Sequence, residues 1–486
     1  MTLLQILIFL LLAFIIGITP KTALRRWCMF FLSLLAVYFL QPSTPIRYLN
    51  FWLPTASVCL AVWGWAVTLP SDKPLRQVNR KDGITFALIL AFVLSLGILD
   101  YDVFGLTLSL PPINGMLITL GVILIGGIIL WGIGLSMRLS VGILFLYIIF
   151  LILLFILLKT DAFSTLISAW LRYFNNQDPA LASHLDIRWL GFSYLCFRII
   201  HTLRERMNGK LAYTSLQEYF TYLLFFPAIT AGPIDRIERF GKDWQQSQTL
   251  QLGVHTQKQS VNTLYEAGQL VLLGLFKKFV LADSLALLSL NQQNVKDVTM
   301  SSWLWVLVYL YAFQIYFDFS GYTDIAIGMG KMMGINLPQN FNRPYLQSSL
   351  TTFWNNWHIT LTQWFRAYYF NPLARNLRKL SWLPSWVSII FCQVSTMILI
   401  GLWHGVSVHF IIWGLWHGVG LFIHNRWTAW TRPLSFSTEA HPHLLRFSNA
   451  FGTLLTFNYV ALGWVWFCLP NAALAWQTLQ KMFMWG

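Results

Sequence analysis

Charge is what this sequence has least of. Asp, Glu, Lys and Arg make up 10% of its 486 residues, where a soluble domain carries about 25%. So little charge cannot cover an aqueous surface, and a soluble globular protein is excluded. Cysteine is sparse as well. Cys28, Cys59, Cys196, Cys392 and Cys468 lie scattered through apolar segments with no metal-ligand spacing, so neither a disulfide framework nor a zinc site is indicated. They read as packing residues, and no metal is expected. Acidic residues number only 18 against 33 Lys and Arg, a net charge of +15. That excess could suggest nucleic acid, but its distribution argues otherwise.

What the sequence has in abundance is apolar length. Runs at Leu3–Thr19, Phe51–Leu69, Ile84–Leu99, Ile113–Leu135 and Val141–Leu158 suit a hydrocarbon core that takes about 20 residues of helix to cross. Lys21, Arg25 and Arg26 follow the first run; Lys73, Arg76, Arg80 and Lys81 follow Phe51–Leu69; Arg204, Arg206 and Lys210 follow Trp189–Ile200. The loop Asp100–Pro112 has no Lys or Arg. Cationic loops stay cytoplasmic, so the N-terminus is expected outside and the loop at 70–83 inside. The basic excess is an orientation signal and an attraction to anionic membrane lipid, and no nucleic-acid partner is expected. Leu3–Thr19 has no basic residue ahead of it, and Pro20-Lys21 with two arginines stands where a cleavage site would lie. It is read as an uncleaved span.

Backbone exposed to lipid must be helical or closed into a barrel, and the run lengths exclude a barrel. The expected fold is an all-α polytopic membrane protein of about eleven transmembrane helices, with re-entrant or tilted segments around a central polar tunnel. Residues 1–160 read as N-terminal transmembrane helices, and 161–187 as an extracytoplasmic loop whose aromatic stretch Ala169–Phe174 suits a membrane interface. Residues 188–430 read as the catalytic core, and 431–486 as a C-terminal loop and last helix. From 188 onward the apolar segments become crowded with Trp, Tyr, Asn, Asp and His. Polar groups at membrane depth point to function by default.

Four clusters stand out. Phe225–Arg236 is interrupted at Pro227 and again at Gly232-Pro233, and taken alone reads as a span end leading into an amphipathic stretch over 236–259. In Tyr316–Asp324, Asp318 and Tyr322 are four apart and share a helix face, whereas Asp324 points elsewhere. Carboxylates this near an apolar run must be paired, hydrogen-bonded or neutral; they could orient a catalytic group or bind helices together. Asn340–Tyr345 and Phe353–Arg366 interleave aromatic and polar residues around His358, Asn355 and Asn356. Finally, the hexapeptide Gly-Leu-Trp-His-Gly-Val occurs at 401–406 and again at 414–419. A histidine in apolar surroundings stays a neutral imidazole, competent as a general base. It can equally hydrogen-bond between helices, and its flanking glycines admit a substrate or another backbone. Spacing alone leaves His404 and His417 tied.

The segments 225–236, 317–345, 353–373 and 400–418 together resemble the membrane-bound O-acyltransferase family, in its bacterial alginate O-acetylation and teichoic acid D-alanylation branch. The resemblance implies a helical core around a tunnel joining the two membrane faces, in the inner membrane of a bacterium. It implies His404 as the catalytic histidine and His358 as its partner, with Asn355, Asn356, Asp318, Tyr322 and Asn340 orienting or binding substrate. The chemistry it implies is transfer of a short acyl group, acetyl first, from a cytoplasmic thioester to a hydroxyl of an exported polysaccharide or envelope component. An acyl thioester such as acetyl-CoA or an acyl carrier is then a co-substrate, no bound cofactor is needed, and a separate extracytoplasmic acyltransferase would complete the transfer. Arg366, Arg375, Arg378 and Lys379 would attract an anionic donor or simply mark the cytoplasmic side. A carrier-bound amino acid, or lipid acylation, is the alternative within the family. A transporter is the alternative outside it, although the paired broken helices of related halves are not visible.

Overall fold

A computed structural model describes residues 2–19, 22–69, 79–98, 121, 141–246, 254–431 and 442–483. The described chain is helical, and its sole extended pairing is the single bridge between Phe341 and Trp357. The expected run Ile113–Leu135, save residue 121, and the loop Asp100–Pro112 lie outside the described residues. The chain folds as two compact units, Met1–Val271 with Ala326–Leu337, and Leu272–Ile325 with Pro338–Gly486.

In the first unit lie α1 (Leu3–Ile18), α2 (Thr22–Phe39), α3 (Leu49–Thr68), α4 (Arg80–Ile98), α5 (Val141–Lys159), α6 (Asp161–Phe174), α7 (Phe192–Met207), α8 (Leu216–Leu224), α9 (Ile237–Gln246) and most of α10 (Val254–Leu275). Thr2 and Gln5 open α1 with a reciprocal capping box. Packing centres on Phe9, Phe30, Phe51, Phe220, Phe225 and Phe226, all fully buried. The broken segment after α8 is held by Arg198 of α7, itself fully buried. Its guanidinium donates to the carbonyls of Leu223 at 2.8 Å and Ala228 at 2.7 Å, oxygens that the break strips of helical partners. Gly232 lies so close to Ala228 that a Cβ would sit 2.3 Å from its Cα. The segment then runs into the amphipathic α9, which buries Ile237, Phe240, Gly241 and Trp244.

The second unit holds a π-helical turn at Phe276–Ala282, α11 (Asp283–Leu288), α12 (Gln292–Asp297), α13 (Ser301–Met332), α14 (Leu350–Asn356), α15 (Ile359–Phe365), a second π-turn at Arg366–Phe370, α16 (Asn371–Leu377), α17 (Ser385–His404), α18 (Val408–Thr431), α19 (Pro442–Cys468) and α20 (Ala472–Met482); the last turns of α13 belong to the first unit. Among the described residues, α2, α3, α5, α17 and His443–Cys468 within α19 are long and apolar enough to cross a membrane, and α1 is a shorter apolar helix.

Candidate active site

The repeated hexapeptide occupies both arms of one helical hairpin. The first copy runs from the last turn of α17 into the connection, the second lies inside α18, and only Gly405-Val406-Ser407 separates the helices. Their four glycines face the opposite arm. A Cβ at Gly401 would meet the Phe410 carbonyl oxygen at 2.2 Å, and one at Gly414 the Met397 oxygen at 2.5 Å. One at Gly418 would meet the Val394 Cα at 2.6 Å, and one at Gly405 the Phe410 ring at 2.7 Å. The glycines therefore admit another backbone, as small residues do between membrane helices.

The two histidines end in different places. His404 is the last residue of α17, half-buried, with Phe467 of α19 edge-on at 4.7 Å and Trp413 at 5.7 Å. His417 is fully enclosed in α18 by Trp413, Trp354, Tyr459 and Trp464, with ring centroids 5.0–6.2 Å away. Neither of its ring nitrogens has a hydrogen-bond partner among the described residues.

His358 lies with His404. Trp403 links them, its ring 5.9 Å from the His358 imidazole and 4.5 Å from that of His404. His358 is buried beneath Phe319, whose ring stands edge-on at 4.7 Å. Its Nε2 has no hydrogen-bond partner among the described residues. The residue adopts a left-handed conformation, φ 43° and ψ 54°, at the start of α15, a geometry that costs a non-glycine residue about 1–3 kcal/mol. Asn340 holds it there. The Asn340 backbone oxygen accepts from Ile359 N–H at 2.9 Å. Its side-chain oxygen accepts from the Thr360 hydroxyl at 2.6 Å and from Thr360 N–H at 3.3 Å. With Asn342 N–H donating to the Asn356 oxygen at 3.1 Å, the two motifs at 340–345 and 353–366 are zipped together around the histidine.

The other expected site residues do not converge on this pair. Asn355 is exposed and accepts from Arg366 at 2.5 Å. Asn356 donates back into its own helix, to the Thr352 oxygen at 2.8 Å. Asp318 is half exposed and pairs with Lys278, and Asp324 pairs with Lys277 at 2.6 Å. Tyr322 is buried one turn beyond Asp318 on α13. The carboxylates thus find the partners their surroundings require, on a π-turn of the kind often found at functional sites. The Lys277-Lys278 pair inside an apolar run was the available sequence signal for them. Sequence reasoning also missed the aromatic wall of Phe319, Trp403, Trp413, Trp464 and Phe467. Two of those come from α19, beyond the 188–430 segment, and in an aromatic-rich chain no spacing singles them out. Among the described residues no three His, Cys, Asp or Glu side chains converge as metal ligands would.

Residues 144–479 match the MBOAT, membrane-bound O-acyltransferase family, a stretch that includes both histidines and α19. The chain is 29% identical over 295 residues to the teichoic acid D-alanyltransferase of Bacillus subtilis, covering 60% of this chain and 71% of that protein. It is 32% identical over 310 residues to the probable alginate O-acetylase of Pseudomonas aeruginosa, covering 63% and 54%. With the peptidoglycan O-acetyltransferase of Helicobacter pylori it shares 32% over 283 residues, covering 57% and 49%. It spans about half the length of these last two relatives.

Proposed function

The chain belongs to the membrane-bound O-acyltransferase family and is an acyltransferase. From that premise we propose that it moves a short acyl group, acetyl first, from a cytoplasmic thioester to a hydroxyl of an exported polysaccharide or envelope component, with His404 as general base. His404 takes the hydroxyl proton as the new ester bond forms at the thioester carbonyl. The carbon–sulfur bond then breaks, and the departing thiolate recovers the proton. A positioned base of this kind contributes about 10²–10⁴ in rate.

The observation that supports the reading is two imidazoles that both neighbour the Trp403 ring and stand on helix ends of opposite polarity. His404 is the C-terminal residue of α17, where carbonyl dipoles favour the positive charge it acquires on taking a proton. His358 opens α15, where the N-terminal dipole favours a neutral imidazole that donates to a developing oxyanion. Asn340 is then a positioning residue for His358. Asp318, Tyr322, Asn355 and Asn356 act on the approach to the site or on helix packing, and Arg366 near Asn355 is suited to an anionic donor.

The wider setting is part of the same proposal: about eleven spans, a polar tunnel that excludes water from the thioester, and an inner membrane of a bacterium with the N-terminus outside. Contacts within the first unit support that alternation of loops. Gln177 bonds to Arg47 N–H at 2.8 Å and to the Pro45 oxygen at 3.0 Å, which joins two loops expected outside. Arg206 bonds to the Leu69 oxygen at 2.8 Å and Asp82 accepts from Leu216 N–H at 2.8 Å, which joins two expected inside. A separate extracytoplasmic acyltransferase would receive the acyl group.

The test is transfer of label from acetyl-CoA to envelope material by the purified, folded protein and by His404→Gln. Near-normal transfer by the variant would end the proposed mechanism. A second reading, transfer of a carrier-bound amino acid, is favoured by the match to the D-alanyltransferase, of which the chain covers 71%. Label arriving only from an aminoacyl carrier would select it.

A further inference from the structure

Helix α6 is inside out. Its polar stripe, Ser164, Ser168 and Arg172, is buried. The Ser164 hydroxyl donates to the His184 oxygen at 3.1 Å, and the Ser168 hydroxyl to Asp186 Oδ2 at 2.6 Å. The Arg172 Nε donates to the same oxygen at 3.0 Å, and Ser183 N–H adds a fourth bond at 3.2 Å. These residues recur every four positions and form one face. The opposite face carries Phe163, Leu166, Trp170, Tyr173 and Phe174, each 46–68% exposed. A helix against water would be turned the other way.

The underside is fixed to the body of the first unit. Leu171 packs with Ile46, Leu49 and Leu53 at the start of α3, so the exposed stripe is not a dangling end. Its polar side is satisfied internally and calls for nothing beyond it. The chain before it names the occupant. Val141–Lys159 is an apolar, span-length helix that leaves Phe145, Leu146, Phe150, Leu153 and Ile156 exposed, an apolar flank of the kind a span turns to hydrocarbon. Thr160 alone separates that helix from α6. The aromatic stripe therefore starts where the lipid-facing span ends, at the depth where Trp and Tyr rings settle with one edge wet and the body apolar.

We infer that α6 lies in the headgroup layer of the bilayer, with its aromatic stripe seated in lipid. Arg172, the cation of this helix, is turned inward onto Asp186, so the attraction is apolar and does not depend on anionic lipid. The inference rests on the first unit alone, and stands or falls apart from the acyl-transfer proposal.

The test puts the photoreactive residue p-benzoylphenylalanine at Leu166, Trp170 or Tyr173 of the full chain, with Ala180, exposed in the following loop, as the aqueous control. The protein is irradiated in cell membranes and in pure phosphatidylcholine vesicles, and adducts are read by mass spectrometry. Phospholipid adducts at all three stripe positions, undiminished without anionic lipid and absent at Ala180, are expected. Adducts formed mainly on another polypeptide in cell membranes would overturn the inference. So would stripe positions that, like Ala180, capture no lipid.

Discussion

Exchanging the two histidines of the repeated hexapeptide for size-matched residues should produce opposite results, and the terms can be worked from their surroundings. Take His417→Leu. The substitution removes two buried nitrogens that lack partners among the described residues, each costing about 1–3 kcal/mol. It also gives up contacts to four aromatic rings, each worth about 0.5–1.5 kcal/mol beyond its area. The two sums are similar, so stability should change by no more than about 2 kcal/mol in either direction. Trp413 stands between His417 and His404, so activity should fall by less than about tenfold, or about 1.4 kcal/mol. His404→Gln keeps the volume and polarity at the end of α17 but supplies no base, and should cost about 10²–10⁴ in rate, some 3–5 kcal/mol of barrier, with little change in melting temperature. The assay is a thermal melt in detergent beside initial rates of acyl transfer for both proteins. A folded His417→Leu protein that loses as much rate as His404→Gln would refute the assignment, and so would a His404→Gln protein that keeps its rate.

Three other substitutions probe what surrounds the pair. Asn340→Leu removes the acceptor for Thr360 N–H and hydroxyl, and should cost about 2–4 kcal/mol of stability together with activity; Asn340→Asp, which keeps the acceptor, should recover most of both in the same melt and rate measurements. Gly414→Ala drives a Cβ to 2.5 Å from a backbone oxygen across the hairpin; the overpacking should cost about 1–3 kcal/mol and slow transfer by displacing His404, while Gly83→Ala, where a Cβ meets nothing, leaves both unchanged. Burial alone would raise the Asp186 carboxyl, but hydrogen bonds from Ser168, Arg172 and Ser183 N–H, with the Arg172 charge, hold it below its ordinary value of 3.8. A depressed carboxyl contributes its stability above the unfolded pKa and loses it as pH falls through the folded one. Protease cleavage of the 160–187 segment should therefore rise below about pH 4, and Asp186→Asn should already show that susceptibility at neutral pH; a pH-independent cleavage rate would count against the latch.

Parts of the site were legible in the sequence and parts were not. His358 and His404 were named through the family resemblance of their motifs, and the flanking glycines of the hexapeptide were read as allowing close approach. What approaches them is the opposite arm of the hairpin, a fact of pairing that one strand of text does not carry. Asp318 and Asp324 were rightly expected to need partners. Those partners, Lys278 and Lys277, lie 40 and 47 residues away in sequence, on a π-turn whose extra residue no periodicity announces. Arg198 was not singled out in the sequence, yet it closes the break after α8, because carbonyls opened by Pro227 must find donors inside the protein.

Membrane residence and helical architecture were determined by the sequence alone, because both follow from local quantities: how much charge there is, how long the apolar runs are, and what lipid demands of a backbone. The different surroundings of His404 and His417 were decided only by tertiary structure. Their neighbours along the chain are identical over six residues, so every local rule treats them alike. One ends a helix beside Trp403 and His358, and the other is sealed among four aromatic rings. The difference lies in what other helices bring to each of them, which is a property of packing rather than of sequence spacing.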